Sequence, residues 1–248
     1  MADLRNYQAR VTPGARVDTA IDEGLRAYMI RVYNLMALGL AITGLAAWGA
    51  FNFAVAADGQ LTAFGQLLFV SPLKWVIIFA PLALVFFISF RIHTLSVSAA
   101  QSIFWVYAAL VGLSLSTIFL VYTQESIVRT FFITAASFGA LSLWGYTTRR
   151  DLSGMGSFLF MGLIGIVIAS IVNIFLGSSA LQFAISVIGV LVFAGLTAYD
   201  TQQIKEMYYE GDDQLVAGRK AIMGALRLYL DFLNLFMFLL QFLGSNRE

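Results

Sequence analysis

Seven stretches of roughly 20 mostly apolar residues are each long enough to cross the hydrocarbon layer of a bilayer. They lie near Val32 to Ala56, Lys74 to Phe90, Ala99 to Tyr122, Ile127 to Thr147, Ser157 to Leu176, Leu181 to Ile204 and Ile222 to Leu243. Hydrocarbon offers the backbone no hydrogen-bond partners, so each stretch must satisfy its own N–H and C=O groups, which an α-helix does. The expected fold is therefore an all-α membrane protein with seven transmembrane helices. Composition agrees: of 248 residues 60% are hydrophobic and 12% charged, against about 25% charged in a soluble domain. Residues 1–26 read as a polar N-terminal tail and residues 27–248 as a single transmembrane domain. The second stretch contains Pro81, which predicts a kink or tilt. The connections are short apart from Asp58 to Ser71 and Lys205 to Lys220.

The basic residues set an orientation. Placing the N-terminus in the cytoplasm puts every Lys and Arg except Lys74, Arg129 and Arg247 on the cytoplasmic side, as the positive-inside rule requires. The tail carries Arg5, Arg10, Arg16 and Arg26 against Asp3, Asp18, Asp22 and Glu23. It lacks the early apolar segment of a cleavable signal peptide.

Other chemistries are bounded by what the chain contains. A net charge of +1 gives no reason to expect nucleic acid as a partner. The absence of cysteine excludes disulfides and thiol chemistry, and a single histidine, His93, excludes a multi-histidine metal centre. The last stretch has no lysine for a retinal Schiff base. Gly112 with Ser116, and Ala135 with Gly139, are small residues at helical spacing that allow close helix approach.

Two aspartates stand out. Asp200 shares a helix face with Ser186, Gly189, Phe193 and Thr197, and Asp231 shares one with Arg227, Asn234, Phe238 and Gln241. A lone carboxylate in hydrocarbon costs about 2.5–3.5 kcal/mol on insertion scales, so such stripes face the bundle interior. Two carboxyls at hydrogen-bond distance cannot both ionise cheaply and tend to share one proton. The plainer alternative is that both acids simply tie the bundle together.

The run Tyr199-Asp200-Thr201-Gln202 with Ile204-Lys205, and the run Leu228-Tyr229-Leu230-Asp231-Phe232-Leu233-Asn234-Leu235-Phe236, resemble the Bax inhibitor-1 family in its bacterial branch. Gly112-Leu113-Ser114 and Arg149-Arg150-Asp151-Leu152 add to the resemblance. It implies six helices around a central C-terminal seventh, in the inner membrane of a bacterium. It also implies a pH-sensitive calcium leak with Asp200 and Asp231 as sensor and ion path, and Arg91 as a latch to the first of them. Arg91 has a second explanation as an interfacial anchor. Thr197, Tyr199 and Asn234 are expected to orient the carboxyls. Calcium takes six to eight oxygen ligands, so two aspartates would bind it only weakly and transiently.

No resident cofactor and no enzymatic activity are expected. An intramembrane aspartyl protease would carry Gly-x-Gly-Asp where this chain has Leu228-Tyr229-Leu230-Asp231. The alternative function is a regulator that binds a partner such as a membrane AAA protease through residues 1–26, a role the resemblance also implies.

Overall fold

The computed structural model describes residues 13–247, with side chains from Glu23 onward. Seven helices cross the molecule: α1 (Pro13–Ala54), α2 (Leu73–Arg91), α3 (Val97–Leu115), α4 (Gln124–Thr147), α5 (Ser153–Leu176), α6 (Ser179–Glu206) and α7 (Gln214–Leu243). Each contains a segment long and apolar enough to cross a membrane. The helix starts are fixed by side chains that accept otherwise unpaired N–H groups, from Ser96, Thr123, Ser178 and Asp213. Gly177, with φ of 60°, ends α5 in the left-handed conformation that glycine takes without strain.

Helix α2 carries Pro81 in its interior. Two segments differ from the sequence expectation. Helix α1 begins at Pro13, so the C-terminal part of the polar tail continues it, while residues 1–12 lie outside the described residues. The segment 58–71 is no plain loop: a helical turn at Ala63–Gly65 and a π-turn at Gln66–Val70 fold back, and Leu68 is buried against the α1 end.

Helix α7 is the most deeply buried and packs on α1, α3, α4 and α6. The expected central C-terminal helix is observed. Helices α2 and α5 complete the ring less tightly, α2 leaning on α3 and α5 on α6, each facing α7 across a cleft. These two outer helices are also the least buried and present Phe86, Phe90, Ile174 and Phe175 outward. Such a surface suits lipid and would be untenable in water.

Where helices meet closely, glycine makes room. A Cβ at Gly112 would collide with the α1 backbone at Thr43, and one at Gly145 with the α6 backbone at Ala198. Gly139 departs from the packing role expected of it, since nothing lies within 4 Å of where its Cβ would be. Buried hydroxyls form a directed chain on the far side of α6. Tyr33 donates to Ser142 (2.6 Å), Ser142 to Thr201 (2.8 Å) and Thr201 to the Thr197 carbonyl (2.7 Å).

Candidate functional site

The polar stripes on α6 and α7 face one another. Gly189 lies against Phe238, whose ring stacks on Phe193 at 5.7 Å, and this register brings Asp200 opposite Asp231. At 1.5 Å per residue, Asp200 lies roughly 9 Å from the end of α6 and Asp231 roughly 18 Å from the end of α7, inside the span of both.

Asp231 is 4% exposed, and its carboxyl is within hydrogen-bonding reach of that of the half-buried Asp200. Among the described residues no N–H or hydroxyl donor meets Oδ2 of Asp231. Arg227, one turn before Asp231, is the cation whose charge reaches both carboxyls, although it forms a salt bridge with neither. All three line a cleft of about 820 Å³ that opens sideways between α5 and α7, together with Tyr199, Asn234, Phe160 and Met161.

The two aspartates are brought together as the sequence pattern anticipates; the residues expected to support them are not all in that role. Thr197 is fully buried, but its hydroxyl donates to the Phe193 carbonyl of its own helix (2.7 Å). Asn234 donates its amide to Leu230 (2.8 Å), and its side chain borders the cleft. Tyr199 packs its ring over Gly156 of α5, where a Cβ would lie 2.5 Å from the ring. Arg91 stands exposed at the end of α2 and forms no salt bridge with Asp200. Arg227 holds the position beside the pair, and its i, i+4 spacing to Asp231 was the sequence signal for it.

Gln202 has a part that the sequence reading did not give it. Its amide accepts from Leu152 N–H and donates to the Arg150 carbonyl, both at 2.8 Å, so α6 grips the connection between α4 and α5 two residues from Asp200. Lys205 adds a bond to the Tyr146 carbonyl at the end of α4 (2.9 Å).

The family profile described as "Inhibitor of apoptosis-promoting Bax1" matches residues 25–248. The chain belongs to the Bax inhibitor-1 family. Its relatives include an uncharacterised protein of Caulobacter vibrioides, 47% identical over 250 residues and covering 100% of both chains. Another is protein RP147 of Rickettsia prowazekii, 49% identical over 98% of this chain and 99% of that one. The inner membrane protein YbhL of Escherichia coli (strain K12) is 49% identical over 90% of this chain and 94% of its own. This Bax inhibitor-1 family member is therefore a seven-helix membrane protein, and the two runs that carry the resemblance are those that form the acidic pair.

Proposed function

We propose that this protein provides a pH-sensitive calcium leak across a bacterial inner membrane, with Asp200 and Asp231 as the proton-sharing sensor. The observation that carries the reading is the contact of two carboxyls, without a donor group between them, on the wall of an 820 Å³ cleft. Two acids so placed are compatible when a proton lies between them. Losing that proton leaves like charges in contact, with Arg227 the cation that balances them among the described residues, and the α6–α7 interface then favours separation.

Calcium is a hard cation that prefers carboxylate and carbonyl oxygens. Two aspartates and the Asn234 amide oxygen supply too few ligands for a tight site, which suits an ion that must also leave. The distribution of basic residues supports a cytoplasmic N-terminus, and the relative YbhL, an inner membrane protein, supports the inner membrane. Arg91 could reach Asp200 only in a state where α2 closes toward the cleft; in the state seen, Arg227 fills the counter-charge role. The reading invokes no enzymatic step and no resident cofactor.

The test is calcium entry into liposomes containing the purified protein, measured across pH for wild type and for the Asp200→Asn, Asp231→Asn double variant. Entry that varies with pH in wild type and is lost or constant in the variant is expected. Wild-type entry equal to that of empty vesicles at every pH would overturn the leak and shift weight to a regulator that acts on a partner such as a membrane AAA protease.

A further inference from the structure

Helices α1 and α4 both pack on α7 but diverge from one another, leaving two hollows of about 590 and 750 Å³. The hollows share Ala37, Ala135 and Phe232, so they form one furrow along the side of the bundle. Its floor reaches the central helix at Phe232 and Phe236, and its lining is almost wholly apolar. Gly44 and Gly139 open into it, with nothing within 4 Å of either Cβ position. These glycines serve no helix contact here, and the space they leave is part of the furrow.

In one hollow the polar lining residue is Thr43, whose hydroxyl is bonded within the bundle; the furrow carries its charge at the other end. Arg26 and Tyr146 lie there, with Tyr33 bonded to Ser142 behind them. Arg26 is exposed and has no ion-pair partner among the described residues; Glu23, one turn earlier and exposed, does not pair with it. Lys205 is not part of the lining; its ammonium is held by the Tyr146 carbonyl (2.9 Å) and lies 5.5 Å from the Tyr146 ring centroid. Among the described residues no acidic side chain lines either hollow, in contrast to the cleft that holds Asp200 and Asp231.

We propose that this furrow is a binding site for an anionic phospholipid of the bilayer, with an acyl chain lying against Phe232 and Phe236 and the phosphate at Arg26. The charge at the mouth selects the headgroup, because an arginine fork pairs with phosphate oxygens and no carboxylate among the described residues opposes it. The apolar trough selects a hydrocarbon chain, because the hydroxyls at its margin already have partners or lie at the headgroup level.

Purified full-length protein in mild detergent, offered phosphatidylglycerol or phosphatidylethanolamine with identical chains, tests the site by native mass spectrometry and thermal melting. Wild type is expected to retain one phosphatidylglycerol about fivefold more readily than phosphatidylethanolamine, the preference that one basic residue near the surface provides. Arg26→Gln, an exposed change, should melt like wild type without added lipid and lose that preference. Gly139→Leu fills the trough and should abolish retention of both lipids. Equal retention of the two lipids by wild type would overturn the headgroup assignment. A lipid-free dimer broken by Gly139→Leu would show instead that a second copy of the chain occupies the furrow.

Discussion

The interface between α6 and α7 is polar at two levels, and the levels are built differently. Toward one end, Gln182 donates to Gln241 (2.9 Å), Ser186 donates to the same oxygen (3.2 Å) and Asn173 of α5 donates to Gln182 (3.1 Å). Toward the other, Asp200 and Asp231 meet without a donor between them and with one unpaired oxygen. The two levels are separated by Gly189 and the stacked Phe193 and Phe238. Neutral amides satisfy one another at any pH and act as glue between helices. Carboxyls in contact depend on a proton, so under the proposed sensor role the same pair of helices is fastened permanently at one level and conditionally at the other.

That contrast can be broken most completely at the acids. Asp231→Asn supplies an amide donor to Asp200 in place of the shared proton, and calcium entry into liposomes should lose its variation with pH entirely. Gly189→Leu attacks the divider between the levels. A Cβ there would already lie 2.6 Å from the Phe238 ring, and overpacking of this kind costs about 1–3 kcal/mol, readable as a lower melting temperature in detergent. Gln241→Ala removes the acceptor of the neutral level, for a loss of about 0.6 kcal/mol by the average for interhelical bonds in membranes, and should leave the pH profile of entry unchanged. A pH profile altered by Gln241→Ala would erase the distinction between the two levels.

The smallest effect is expected at the α4–α5 connection, where Asp151 accepts from Ser153 N–H (2.8 Å). Hydrogen bonds from the Ser153 hydroxyl and backbone hold this exposed carboxyl below its usual range. A lowered value means that its contribution is present at neutral pH and fades as pH falls through its titration. Melting temperatures of wild type and Asp151→Ala should accordingly differ slightly at neutral pH and converge in acid.

Much of this was legible in the chain, for physical reasons. A span must be long and apolar, so seven of them can be counted, and a carboxylate cannot face lipid, so Asp200 and Asp231 had to turn inward. Helical offsets then placed Arg227 and Asn234 on the face of Asp231. What remained hidden depends on which helices are neighbours. Periodicity does not tell that Gly112 meets a backbone while Gly139 borders a furrow, nor that Gln202 reaches across to Leu152 and Arg150. Arg91 and Arg227 both sit on the basic side of the spans, and only the packing of α2 away from α7 separates their roles.

The position of α7 at the centre also bears on how the protein is made. The ribosome delivers this span after the other six, and its Asp231 and Gln241 meet Asp200 and Gln182 of a helix already synthesised. Until it docks, α1, α3, α4 and α6 lack the partner that covers their inner faces, so a translation product stopped before α7 would be a substrate for membrane quality control and no smaller version of the same fold.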